Sequence, residues 1–521
     1  MNDSPQHAES PTTDSAPTPS IESSDRSLGP SPHSSPDEPR DQTRDRSSER
    51  HEPDPRRWKA LWVCLVAGFM TLLDVSIVNV ALPSIQKGVE ASPSDLQWVV
   101  SGYALTFGLT LVPSGRIGDA LGRRTVFVVG VVLFGVSSLA CGLAPSSALL
   151  VVARLVQGAA GGILNPQVSG LIQQMFRGPE RGRAFGLLGA TIGISTAVGP
   201  VVGGVILNVL GEESGWRWIF FVNLPIAVAA VVLAMRWLPD PPERDRSRRI
   251  DIDPLGVALL GVGVLGILLP IVESGRGGST VPWWVALVGV GFLVVFLAWE
   301  RVYTNRGRTP LVDLGLFTVP GYSAGATVGT IYFGGFTGIF FVLTIFFQEK
   351  LGYSPLLAGL AVTPFAAGSA VSSALGGRLV ERFERSLVTT GLAVVLVGLV
   401  AVDVVLTVVH GPSIGWWLAA PLLVAGVGSG FVISPNVTLT VARVPVERAG
   451  TAGGLLQTGQ RIGTAAGIAL VGSVLYSGLA SGRGLDPAAA LRVAAVLVAV
   501  ALAASVVDLR NRRRRSQEEP A

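Results

Sequence analysis

LWVCLVAGFMTLLDVSIVNVAL, running from Leu61 to Leu82, decides how the chain is read. Its length and apolarity suit a helix that crosses a bilayer, a task needing about 20 residues. Asp74 lies well inside it. A carboxylate at that depth costs roughly 2.5 kcal/mol or more on the insertion scale, so a chain keeps one only where it faces a protein interior or a wet cavity. Asp74 is therefore a candidate proton or cation site, because loss of water disfavours the charged form of an acid. The structural alternative is a packing hydrogen bond to a neighbour such as Ser76 or Asn79.

The rest of the chain repeats the apolar theme. Of its 521 residues, 49% are hydrophobic and 15% charged, and the mean hydropathy is +0.52, a composition that points to a polytopic membrane protein. The net charge of +4 is spread in short basic groups between apolar runs, a pattern of membrane topology that argues against nucleic acid as a partner. Cys64 and Cys141 both fall inside apolar runs, which leaves no disulfide framework or thiolate site. The histidines, His7, His33, His51 and His410, form no metal-ligand constellation. No metal and no cofactor other than a proton gradient is expected, and an enzyme is disfavoured.

Residues 1–55 are rich in Ser, Pro, Asp and Arg, too polar to offset the entropy of ordering, and read as a disordered cytoplasmic tail. With no signal-peptide core in this leader, the first span is expected to act as the targeting element. From there to residue 508 the chain offers about fourteen apolar runs of roughly 20 residues each, among them 218–238, 356–377 and 387–409. Alternate loops carry the arginines, among them Arg56 and Arg57, Arg116 with Arg123 and Arg124, Arg177, Arg181 and Arg183, and the tail from Arg510 to Arg515. Placing these inside the cell puts both termini in the cytoplasm.

The chain also echoes itself. GRIGDALGRR from Gly115 returns weakly as GRLVERFERS from Gly377, GILNPQV around Pro166 as FVISPNV around Pro435, and Gly186-Leu187-Leu188 as Gly454-Leu455-Leu456. The offsets of 262, 269 and 268 residues agree closely enough for one duplicated unit. The expected architecture is an all-α membrane bundle: six spans in 56–240, an inserted pair in 241–310, six spans in 311–508, and a basic tail in 509–521.

Four stretches make a resemblance specific. LDVSIVNVALPSI (Leu73 to Ile85), GRIGDALGRR (Gly115 to Arg124), LVVARLVQGAAGG (Leu150 to Gly162) and GLLGATIGISTAVGPVVGG (Gly186 to Gly204) resemble the signatures of the major facilitator superfamily, and within it the fourteen-helix drug/proton antiporters. The resemblance implies proton coupling at Asp74, with Arg154 the intramembrane arginine of the fourth span. It implies a cytoplasmic latch at Gly115, Asp119, Gly122, Arg123 and Arg124, although Ala120 stands where an arginine is common. It further implies an antiporter motif at Gly186, Gly199, Pro200, Gly203 and Gly204, with Ser195 in the place of a usual glycine. SGWRWIFFVNLP (Ser214 to Pro225) matches the start of span six, where Trp216 and Trp218 suit an interface.

Depth arithmetic adds a contact. Asp74 lies roughly 21 Å from the inner end of its span and Arg154 roughly 9 Å from the outer end of its own, which coincide in a core of about 30 Å. A pair between them is geometrically allowed, and a proton on Asp74 would release it. Alternatively, Arg154 snorkels outward. Asn79, Gln157, Asn165, Tyr332, Phe336, Gln457 and Arg461 are further candidates to line a cavity, with packing the competing role for each. Asp403 is either a second titrating site or faces a polar crevice. The expected function is proton-driven export of amphipathic organic compounds by a monomer in the cell membrane. Symport of a small polar solute is the alternative among transporters.

Overall fold

The computed structural model describes residues 55–239, 253–274, 281–308, 310–411, 413–444, 449–480 and 484–518. The leader expected to be disordered, up to residue 54, and most of the linker after residue 239 lie outside them. Among the described residues there is no strand, and eleven helical segments are long and apolar enough to cross a membrane. The chain is an all-α, multi-span membrane bundle.

The first group comprises α1 (Arg57–Gly88), α2 (Pro93–Leu121), α3 (Arg123–Leu143), α4 (Ser147–Met175) and α5 (Gly178–Leu210), then α6 (Glu212–Phe221) and α7 (Asn223–Trp237). Two helices follow, α8 (Pro254–Ser274) and α9 (Trp284–Asn305), packed on each other. The second group comprises α10 (Tyr322–Ile345), α11 (Pro355–Val408), α12 (Ile414–Val441), α13 (Ala449–Ala480) and α14 (Pro487–Glu518).

Local chemistry sets the ends. Ser92 and Asp95 form a capping box at α2, each side chain satisfying the other's backbone N–H, and Pro93 opens the helix where no donor is needed. Ser146 caps α4 and Ser354 caps α11 in the same sense. The turn between α2 and α3 is one residue long, and its Gly122 has φ 91°, a backbone state that side chains resist.

Two sequence expectations change in detail. The runs expected as separate spans at 356–377 and 387–409 form one 54-residue helical stretch, α11, broken at Glu384, where φ is 44° and ψ −130°. The run expected at 218–238 is divided at Val222 into α6 and α7. The helix α14 continues to Glu518, so the basic stretch after residue 508 begins as its extension.

Small residues let the spans approach. Along the α2–α4 contact, the hydroxyls of Thr106, Thr110 and Ser114 donate to the carbonyls of Leu155, Ala159 and Gly162 at 2.7, 3.1 and 2.9 Å. The last of these matters most, because Pro166 has no N–H to offer the Gly162 carbonyl one turn back. Ser114 supplies the missing donor, the means by which a membrane helix tolerates proline.

The two groups meet along α2 with α13 and along α5 with α11. The repeat offset carries α2 onto the first part of α11 and α5 onto α13, so exchanging the repeats exchanges these contacts. Thr458 donates to the Gly108 carbonyl at 3.0 Å, and Gln348 donates to the Val80 carbonyl at 2.7 Å. The α8–α9 pair packs on the same side as α13 and α2. It is tied to the chain leading into α10, since Glu300 accepts from Val312 N–H at 3.1 Å and Arg116 of α2 donates to the Pro310 carbonyl.

Candidate functional site

Asp74 projects from α1 into the packed interior of the first group and is 1% exposed. Its carboxylate accepts three hydrogen bonds. Arg154 Nη1, from α4, reaches Oδ2 at 2.6 Å, while Gln157 Nε2 and Asn223 Nδ2 reach Oδ1 at 3.0 and 2.9 Å. Three helices therefore converge on one acid.

The surrounding donors are used almost completely. Arg154 Nε donates to the Val99 carbonyl at 3.0 Å and Nη1 to Gln157 Oε1 at 2.7 Å. The second N–H of Gln157 and that of Asn223 both go to Ser138 Oγ, at 3.2 and 3.0 Å, and Ser138 passes its own proton to the Phe220 carbonyl at 2.8 Å. The Arg154 guanidinium carbon also lies 4.2 Å from the centre of the Tyr103 ring, a cation–π arrangement. A buried ion pair offsets the cost of leaving water only when its remaining hydrogen-bonding groups are also satisfied, and that condition is largely met here. Protonating Asp74 removes the negative partner while leaving Arg154 anchored to Val99 and Tyr103.

Of the residues singled out in the sequence, the structure brings together Asp74, Arg154 and Gln157. Asn79 is buried on α1 without a partner for Oδ1 among the described residues, and Ser76 packs on Gly199 of α5. Asn165 is half-buried on α4. Asn223, Ser138 and Tyr103 were missed. An amide between aromatic residues and a proline at the start of a span was the available signal for Asn223.

The loop after α2 forms its own cluster. Asp119 Oδ1 stands 2.5 Å from Arg123 Nη2, Arg123 lies across Gly170 and donates to the Pro166 carbonyl at 3.4 Å, and Arg124 donates to the Met235 carbonyl at 2.6 Å. Gly115 faces the Pro166 ring. In the second group, Arg385 occupies the position equivalent to Arg123. It donates to Asn436 at 2.9 Å and to the Gly321 carbonyl at 2.8 Å.

On α5, Gly199 and Gly203 accept Ser76 and Ile77 of α1, while Gly204 lies against the Leu356 backbone of α11 and the Pro200 carbonyl against Gly359. Gly186 lies in the first half of the same helix. Tyr332 and Phe336, on α10, join Phe333, Phe340 and Phe365 in an aromatic cluster whose neighbouring ring centres are 5.1–6.0 Å apart. Gln457 and Arg461 lie one turn apart on α13 and are half-buried. Asp403 pairs with Arg492 of α14 at 3.0 Å on the bundle's outer surface.

A sequence model of the Major Facilitator Superfamily matches residues 64–321 and 325–521. The chain belongs to the Major Facilitator Superfamily. Among its superfamily relatives, the probable actinorhodin transporter of Streptomyces coelicolor is 36% identical over 433 residues, 82% of this chain and 74% of that protein. The puromycin resistance protein of Streptomyces alboniger is 36% identical over 468 residues, 88% of this chain and 90% of that protein. In fold, the chain is similar to a bacterial homolog of the human lysosomal transporter Spinster, solved in an inward-facing and occupied conformation. The TM-score is 0.61 at 16% identity, covering 88% of this chain and 98% of that one.

Proposed function

We propose that this protein exports amphipathic organic compounds, drugs or antibiotics among them, across the cell membrane in exchange for protons. The observation that carries the reading is the enclosed site in which Asp74 holds Arg154, Gln157 and Asn223. Taking up one proton there cancels the charge that binds three helices to one point, so binding of a proton changes the relative stability of two arrangements of the bundle. The names of the two Streptomyces relatives support a toxic or antibiotic organic substrate.

The topology we infer is fourteen spans, six and six around an inserted pair. It counts the halves of α11 on either side of Glu384 separately, joins α6 to α7, and includes α5 and α13, whose 33 and 32 residues exceed the length of the hydrocarbon core. The arginine-bearing turns lie on the cytoplasmic side in this reading, together with both termini. The contacts of Gly204 with Leu356, Pro200 with Gly359 and Gln348 with Val80 then close the outer face, while rocking of one group against the other opens it.

Everted membrane vesicles test the exchange. On energisation, at least one of a panel of anionic, neutral and cationic dyes and antibiotics should accumulate inside vesicles bearing the wild-type protein, and addition of that compound to vesicles holding a proton gradient should release protons. Accumulation that persists when the proton gradient is collapsed, or a strict requirement for sodium, would remove proton exchange from the reading.

A further inference from the structure

Two arginines lie deep in the bundle, and they are treated oppositely. Arg154 is 1% exposed and engaged by a carboxylate, a side-chain amide and a backbone carbonyl. Arg461, twelve residues into α13 and so roughly 18 Å along it, is half-buried and has neither a hydrogen bond nor an ion pair among the described residues. Its guanidinium carbon sits 4.1 Å from the centre of the Phe107 ring.

The side chain is placed deliberately by its surroundings. Thr458, one turn before it, donates to the Gly108 carbonyl of α2, and Gly108 leaves room for the stem, because a Cβ there would stand 2.9 Å from Arg461 Cβ. The α13 backbone is thus drawn close to α2, and the guanidinium is carried over Phe107. The hydroxyl of Tyr103, one turn along α2 from Phe107, is buried and has no hydrogen-bond partner among the described residues. Gln457, at i−4 from Arg461, shares its face of α13.

Unpaired charge in a membrane interior costs several kcal/mol unless it borders a wet cavity or meets its counterion. Guanidinium is a donor only, so the group that completes it is an acceptor, best a negatively charged oxygen. Phe107 and Tyr103 are each 1% exposed and so back the guanidinium from within the bundle, which leaves half-buried Arg461 as the group that meets the acceptor.

We propose that Arg461, backed by Phe107, forms a substrate subsite that selects organic anions carrying a phenolate, carboxylate or sulfonate over neutral or cationic compounds of the same shape. This rests on the exporter reading for the identity of the cavity, and it adds the charge of the cargo. While Asp74 is ionised its pair with Arg154 is neutral as a unit, so the charge of Arg461 is left for the cargo to balance.

The test uses two probes that share a ring system. Anilinonaphthalene sulfonate is anionic, and N-phenyl-naphthylamine is its neutral counterpart. Binding to the purified protein in lipid nanodiscs, with empty nanodiscs subtracted and no gradient imposed, should favour the sulfonate. In Arg461→Gln that preference should fall about tenfold or more, the scale of one charge-assisted hydrogen bond. Arg461→Lys should retain part of it, and the neutral probe reports whether each variant still holds a folded site. No preference in the wild type, an unchanged preference in Arg461→Gln, or its complete loss in Arg461→Lys overturns the proposal. Since no gradient enters the measurement, failure of proton exchange leaves this result standing, and normal proton-driven export of neutral or cationic dyes without any preference for the sulfonate would sink this inference alone.

Discussion

The side-chain nitrogen of Asn223, the first residue of α7, stands 2.9 Å from Oδ1 of Asp74, the oxygen that Arg154 leaves to other donors. One amide thereby links the far end of the first group to the acid of α1. It also donates to Ser138, so its removal takes one of two donors from each of two acceptors and leaves Gln157 alone on both. Asn223→Ala is expected to cost about 1.5–3 kcal/mol of stability, the range for a hydrogen bond to a charged group. Thermal unfolding of the purified variant measures this directly. Proton-driven export should slow as well, and a variant with wild-type melting and wild-type export would reduce Asn223 to a bystander.

The contrast between Asn223 and Arg154 explains what could be read from the sequence. An arginine or an aspartate inside an apolar run is legible because few environments tolerate it, and two such residues at matching depth suggest each other. An amide carries no such cost, so Asn223 is ambiguous until a fold brings it 149 positions back to Asp74. Glu384 shows a second limit. The polar stretch from Gly377 to Ser386 looks like a loop, yet helical bonding runs on both sides of a single distorted residue there. Hydropathy marks where water begins and does not report where helical hydrogen bonding stops. The pairing of Asp403 with Arg492 was equally hidden, because neither residue signals which neighbouring span its side chain meets.

The loop cluster makes a kinetic prediction. Asp119 is exposed, and an exposed pair such as Asp119 with Arg123 contributes at most about 1 kcal/mol. Asp119→Ala should therefore leave melting nearly unchanged while slowing turnover, since small biases between two end states alter the cycle more than the fold. Gly170→Val should act on the same element from the other side, because a Cβ at Gly170 would collide with the Arg123 guanidinium and push it away. Initial export rates compared with substrate affinity decide the matter. Equal loss of affinity with no loss of rate in either variant would contradict a role in cycling.

At the contact of α5 with α11 the constraint is steric. A Cβ on Gly204 would lie 2.5 Å from the Leu356 Cα, and one on Gly359 would run into the Pro200 carbonyl, so backbone rather than a flexible side chain has to move. Gly359→Val should hold the two helices apart and favour whichever state separates them. Cysteines placed on the flanking turns should then react faster with a membrane-impermeant maleimide from the side that opens. Unaltered labelling alongside normal export would show that the close approach is not needed for the cycle.

The pair at the centre supplies the most stringent test. Replacing Arg154 by Gln leaves a buried carboxylate with two neutral donors, and replacing Asp74 by Asn leaves a buried guanidinium facing an amide. Each single change strands one charge, which costs about 3–5 kcal/mol when a buried pair is broken. Combining Asp74→Asn with Arg154→Gln removes both charges, so the double variant should melt no lower than the worse single one, with a coupling of about 0.5–3 kcal/mol. Transport should separate from stability in these same proteins. Asp74→Asn is expected to lose export against a gradient but to keep downhill exchange of dye, because the acid is the proposed proton carrier and the rest of the pathway is intact. Arg154→Lys should rescue poorly, since the ammonium cannot reach Asp74, Gln157 and the Val99 carbonyl together as the planar guanidinium does. Strictly additive melting losses, or full uphill export by Asp74→Asn, would separate the pair from the mechanism.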